Sequence, residues 1–123
     1  MRVGAAMHNL DQLLKNVMND AVSIGIPISD KIEPTIYIDT NRYDRVAACY
    51  KYPFPRRYEI HLSSDTLRAT ETEIKNIIAH EILHTCFLSM DHDIPWKIYK
   101  HSMNEKLGYN IQNKYSWHQI IKK

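Results

Sequence analysis

His80-Glu81-Ile82-Leu83-His84 sets two imidazoles four residues apart with a carboxylate beside the first. Four helical residues turn the chain by roughly 400°, so the rings project about 40° apart on one face, where one metal ion can bind both. Glu81 lies on the neighbouring edge of that face. It is too close in sequence to be a comfortable third ligand, but well placed to accept a proton from a water at the metal. This is the ligand-and-base arrangement that zinc hydrolases use.

On a solvated helix the same residues would carry less weight, because short patterns of this kind recur by chance. From Glu71 to Leu88, however, Ile74, Ile77, Ile78, Ile82, Leu83, Cys86, Phe87 and Leu88 cover nearly the whole circumference at 100° per residue. Such a helix is expected to be buried. Two imidazoles and a carboxylate inside it need partners, and a metal supplies them together.

A third ligand has to come from downstream, where His92, His101 and Glu105 are the candidates. A straight helix through His92 would carry that ring about 12 Å beyond His84, out of reach. The chain must therefore turn. Ser89-Met90-Asp91-His92-Asp93 is a polar break, and Pro95 suits the first turn of a new helix with Asp93 or Ile94 near its cap. That helix presents Trp96, Tyr99, Met103 and Leu107 as one stripe. His101 and Glu105 point roughly 140° and 180° away from its centre, toward solvent. His92, in the turn, is favoured; Glu105 would be the ligand only with a different helix register.

The rest of the chain reads as the frame for this site, in an α+β order. Met7, Leu10, Leu14, Val17, Met18 and Ala21 form a helical stripe ended by Gly25 and Pro27. Thr35–Asp39 alternates as a strand. Val46–Tyr52 and Arg57–Leu62 read as two more, separated by Pro53-Phe54-Pro55. This predicts a small three-stranded antiparallel or mixed sheet between an N-terminal helix and the two site helices. Tyr58, Ile60 and Leu62 should face the core, and their strand is the one expected to bind an extended peptide by edge pairing. Gly108 should end the last helix. Residues 110–123 read as a C-terminal extension, with Lys114–Lys123 separable from the upstream ligands.

These residues resemble the SprT-like metalloproteases. The likeness is specific in His80-Glu81-Ile82-Leu83-His84-Thr85-Cys86, Met90-Asp91-His92 and Trp96-Lys97, and continues through Met103-Asn104 and Leu107-Gly108-Tyr109-Asn110. Upstream, a helix, a strand near Ile36, a segment ending in Cys49 and Tyr58–Ser63 follow the family's order. The resemblance implies a zincin-like fold, His80, His84 and His92 as zinc ligands, Glu81 as catalytic base, and substrates among proteins associated with DNA. Three features depart from the family. Asp93 stands where a glycine usually follows the third histidine, a change expected either to alter the turn or to let the aspartate orient a ligand. Ala47 replaces a common glycine, and the paired CxxC motifs of a zinc ribbon are missing. Cys49 and Cys86 stand alone, and Cys86 reads as a small core residue.

With 123 residues and 44% hydrophobic content, the chain can bury one core, and residues 1–123 are read as a single domain. No apolar run approaches a membrane span, no secretory leader is evident, and two unpaired cysteines fit a reducing cytoplasm. The net charge is only +2, but from Ile94 to Lys123 six lysines face the single acid Glu105. Lys97, Lys100 and Lys114, with Tyr109, Tyr115 and Trp117 interleaved, form a candidate surface for DNA, single strands preferred because exposed bases can stack. Arg56 and Arg57 could extend it.

The expected reaction is zinc-dependent hydrolysis of a peptide bond in a protein or peptide substrate, with Glu81 moving the proton. A donor for the oxyanion cannot be chosen among so many tyrosines. Leu88-Ser89-Met90-Asp91-His92 also resembles the YbeY-type endoribonucleases, although those place the third histidine closer and generally lack a carboxylate like Glu81. A metal-stabilised nucleic-acid-binding module is a third reading, but it gives Glu81 no task.

Overall fold

Each apolar rhythm of the sequence becomes an element in the computed structural model, which describes residues 9–40, 45–86 and 92–115. Helix α1 (Leu10–Ser23) starts where the Asn9 side chain accepts the Gln12 N–H and buries Leu10, Leu13, Leu14, Val17 and Ala21. It ends in a left-handed turn at Gly25, φ 81°, where the Gly25 and Ile26 N–H groups reach back to the Val22 and Ala21 carbonyls. Met7 lies outside the described residues.

Three strands follow: β1 (Ile32–Asp39), β2 (Ala47–Pro53) and β3 (Arg56–Ser63). They form a mixed sheet in the order β1-β3-β2, with β3 parallel to β1 and antiparallel to β2. Strand β1 begins three residues before the expected Thr35, and Pro34 is tolerated in it because β1 is an edge. Tyr58, Ile60 and Leu62 are buried, as their alternation predicts. The expectation that this strand offers an edge to a peptide is overturned, because β3 is hydrogen-bonded on both sides. Among the described residues, β1 and β2 are the two edges of the sheet. On β1 the Ile36 N–H is taken by Asp11 of α1 at 3.0 Å, whereas among the described residues no strand pairs with the outer flank of β2.

A short 3-10 turn (Ser64–Arg68) leads to α2 (Glu71–Ile82). Thr70 and Glu73 close a capping box at its start, and Ile74 and every residue from Asn76 to Ile82 are buried. The regular helix stops well short of the expected Leu88. Leu83–Thr85 tighten into a 3-10 turn, and Cys86 is extended. The Thr85 hydroxyl anchors this ending by donating to the Ile82 carbonyl at 2.7 Å while accepting the Ser29 N–H at 3.0 Å. Phe87 and Leu88 lie outside the described residues.

Helix α3 (Ile94–Leu107) is capped by Asp93, whose carboxylate accepts the Trp96 N–H. That is where Asp93 acts, rather than on a ring of the site. Gly108, in the left-handed region at φ 74°, ends the helix. Trp96 and Met103 are buried, and Tyr99 and Leu107 pack on the core. His101 and Glu105 face solvent.

Among the described residues the result is α+β: three helices and a small mixed sheet around a core cluster that runs from Leu10 to Ile111. Residues expected to form an extension therefore belong to the fold at least in part, because Ile111 is 2% exposed and Tyr115 packs against the core. Among the described residues, no helix is long and apolar enough to cross a membrane.

Candidate metal centre

The end of α2, the turn before α3 and the segment after α3 meet at one point. His80 comes from the last turn of α2, His84 from the 3-10 turn and His92 from just before the α3 cap. The Nε2 atom of His92 lies 2.9 Å from that of His80 and 3.1 Å from that of His84. One nitrogen from each of the three rings falls within a 4.8 Å set. His80 and His84 are buried and His92 is exposed, which leaves the cluster open on one side.

Neutral rings cannot satisfy both of these contacts. The His80 Nδ1 lies 2.7 Å from the Gln112 carbonyl, which can only accept, so the ring proton belongs on Nδ1 and the Nε2 lone pair faces the other rings. A single N–H on His92 cannot point at both neighbours. Three imidazoles aimed at a common point form the donor set of a cation such as zinc, whose tetrahedral bonds of about 2.0–2.1 Å place ligand nitrogens roughly 3.3 Å apart. The residues fit that group.

Trp96 forms the wall behind the rings. Its indole lies 4.8, 5.6 and 4.5 Å, centroid to centroid, from His80, His84 and His92, stacking on His84 at 20°. The indole N–H donates to the His80 carbonyl at 3.3 Å. The sequence placed Trp96 in a core stripe and in the family likeness, without a role at the rings. Its position four residues beyond His92 was the available signal, since that spacing returns a helical side chain toward its own first turn.

Glu81 has a carboxylate oxygen 3.9 Å from the His80 Nε2. Burial pushes its carboxyl up to about 8, against the downward pull of Arg45. Burial likewise pushes His80 down to about 3; the Gln112 carbonyl opposes the shift, while His84, His92 and Lys100 reinforce it. Without a cation, then, the site holds a neutral His80 ring and a proton-retaining acid. A divalent ion would reverse that balance for Glu81.

A cleft of about 180 Å³ opens onto these groups, lined by Arg45, Val46, Ala47, His80, Glu81, His92, Asn113, Lys114 and Tyr115. Val46 and Ala47 bring the start of β2 to its rim. Tyr115 was indistinguishable from the other tyrosines in the sequence, and the fold selects it. Its ring lies 5.5 Å from that of His80, and its hydroxyl accepts the Gln112 N–H at 3.1 Å. Burial pushes the phenol up to about 12, with the Gln112 N–H opposing and Glu81 reinforcing, so it stays a proton donor. Cutting the chain at Lys114 would remove this side chain, so the tail is not separable from the site there.

The proposed nucleic-acid residues are scattered. Lys97 is exposed on α3 and Lys114 is on the cleft rim. The Lys100 ammonium donates to Asn113 Oδ1 at 2.7 Å and sits 5.8 Å from the Trp96 ring centroid. Trp117 lies outside the described residues. Arg56 and Arg57 stand at the far end of β3, against the Tyr58 and Tyr52 rings. Both cysteines are free thiols, with Cys86 buried as expected.

No known protein family, curated protein or solved structure matches the chain. The likeness to the SprT-like metalloproteases rests on the motif residues themselves.

Proposed function

We propose that the protein is a zinc-dependent peptidase of the SprT-like, zincin type. The observation that carries this reading is the buried carboxylate of Glu81, 3.9 Å from His80 Nε2, beside three converging imidazoles at the wall of an open cleft. His80, His84 and His92 would hold the ion. When bound, zinc supplies Lewis acidity that activates a water and polarises the scissile carbonyl.

The chain's own residues do the rest. Glu81 accepts the proton of the attacking water at a carboxylate oxygen and returns it to the leaving amine. The Gln112 carbonyl and the Trp96 ring hold His80 in one orientation. The Tyr115 hydroxyl, whose lone pair is occupied by the Gln112 N–H, keeps its hydrogen for an oxyanion formed in the cleft. The open flank of β2, which begins at the cleft rim, replaces β3 as the edge against which an extended peptide lies. Lys97 and Lys114 fit substrates held on DNA.

Glu81→Gln tests this reading. The amide cannot take a proton, so peptide or protein cleavage should fall about 10²- to 10⁴-fold while zinc content stays at one per chain. Wild-type-like cleavage by the zinc-loaded variant would remove the general base. The cations Arg45 and Lys114 on the rim favour one second reading, hydrolysis of RNA. Parallel assays on an unstructured protein and on single-stranded RNA separate the two.

A further inference from the structure

The segment after α3 returns across the molecule and touches the centre with a backbone atom, so something must hold that backbone in register. Asn104, on α3, uses both ends of its amide for this. Its Oδ1 accepts the Ile111 N–H at 2.9 Å, and its Nδ2 donates to the Ile111 carbonyl at 3.3 Å. The side chain thereby imitates a neighbouring strand and leaves no choice of amide orientation. Asn76 on α2 accepts the Asn110 N–H at 2.9 Å, and the Ile111 side chain is sunk in the core. The next carbonyl along, that of Gln112, is the one that meets His80 Nδ1 at 2.7 Å.

We propose that Asn104 is a positioning residue for the metal centre. By clamping the Ile111 backbone on both sides it delivers the Gln112 carbonyl to His80 Nδ1, fixing the ring as its Nδ1–H tautomer with the Nε2 lone pair toward His84 and His92. The inference rests on the metal-centre reading for its consequence, weaker zinc binding, but not for the tautomer itself. Asn104 reaches the site only through two backbone groups and one ring. Its signature is therefore a change in one imidazole, distinct from a general loss of stability.

The test combines nitrogen-15 NMR of the histidine rings in the zinc-free full chain with zinc affinity by chelator competition. In wild type the His80 ring should show a protonated Nδ1 and a bare Nε2. Finding the opposite tautomer overturns the proposal without any variant. Asn104→Ala should mix the tautomers and weaken zinc binding by about ten- to a hundredfold, the range typical of losing a partner that orients a ligand. Asn104→Asp keeps the acceptor and loses the donor, so it should give a smaller change in the same direction. His101→Ala, on the solvent side of α3, should leave both readouts alone. A lower melting temperature with unchanged tautomer and affinity would make Asn104 a packing residue only. If wild type binds no zinc while the tautomer responds as described, the clamp stands and the metal-centre reading falls.

Discussion

His61 and His80 each have both ring nitrogens within hydrogen-bond distance of a neighbour, yet the neighbours differ in kind. On the outward face of the sheet, His61 Nδ1 meets Asp39 at 2.8 Å and Nε2 meets Glu59 at 3.0 Å. Tyr37 stacks on the ring at 5.0 Å and Tyr50 abuts it edge-on at 4.6 Å. Each nitrogen there faces a carboxylate oxygen, so the ring sits between partners that the chain supplies. At His80 one nitrogen faces a carbonyl and the other faces more imidazole nitrogens. The first cluster is finished by the chain itself; the second, on the proposed reading, is finished by a cation. A count of histidines and acids would rank them alike, and the direction of the lone pairs separates them.

The sharpest way to break this contrast is to measure metal. Wild type should retain one zinc per chain through dialysis. His92→Ala, which removes a ligand outright, should lower affinity by more than a hundredfold, beyond the range for a lost orienting partner. His61→Ala should leave it within about threefold. Equal metal loss in the two variants, by elemental analysis, would erase the distinction.

How much of this could be read in advance follows the same division between local and distant. The His80–His84 pair, Glu81, the turn-borne His92 and the Asp93–Pro95 helix start depend on neighbours a few residues away, and periodicity reaches that far. The strand order does not. Nothing in Arg57–Leu62 says that β3 lies between β1 and β2, because pairing partners are chosen by the folded whole. The early end of α2 was hidden for a related reason: the Thr85 hydroxyl is held by Ser29, 56 residues earlier. The segment after Gly108 was least legible, because it works through the Gln112 backbone, and a carbonyl leaves no mark on residue type.

Acidity gives the next largest effect. Glu59 faces His61 and, at 3.7 Å, Arg57, whereas Glu81 is buried and raised to about 8. For an acid raised on folding, stability is fully present below the unfolded value near 4.5 and is lost as pH climbs toward 8. Glu81→Gln escapes that loss. In the presence of a chelator, its stability advantage over wild type should widen between about pH 5 and pH 8, reaching on the order of a few kcal/mol. The lowered His80 is common to both proteins and drops out of the difference. Added zinc should narrow the gap at about pH 8, because a nearby cation favours the carboxylate. A pH-independent difference in urea midpoints would show that Glu81 ionises freely without metal.

A smaller effect tests the finished cluster. Removing the His61 ring leaves Asp39 and Glu59 without the partner between them, so His61→Ala should cost about 1–3 kcal/mol in chelator-treated protein. His92→Ala, at an exposed position, should cost less than about 0.5 kcal/mol under the same conditions. The reverse order of unfolding midpoints would mean that the imidazole cluster, not the carboxylate-bound ring, supports the metal-free fold.

The smallest expected effect repeats the contrast among lysines. Lys100 is occupied within the fold by Asn113 and the Trp96 ring, whereas Lys97 projects from α3. If the basic surface meets single-stranded DNA, a lysine contributes by releasing counterions from a phosphate, and removing one such lysine should reduce the slope of log affinity against log salt by about 0.7. Lys97→Ala should lower affinity a fewfold and flatten that slope; Lys100→Ala should do less, because its ammonium must first leave Asn113. Deletion of residues 116–123 removes Lys122, Lys123 and Trp117 while sparing Tyr115, and should exceed either point change. The measurement is a fluorescence titration with a labelled oligonucleotide at several salt concentrations. If wild type shows no binding at low salt, or if all three variants keep the wild-type slope, the lysines serve only solubility. The link to DNA-held substrates would then lose its physical support, while the metal centre proposed at His80, His84 and His92 would be untouched by that result.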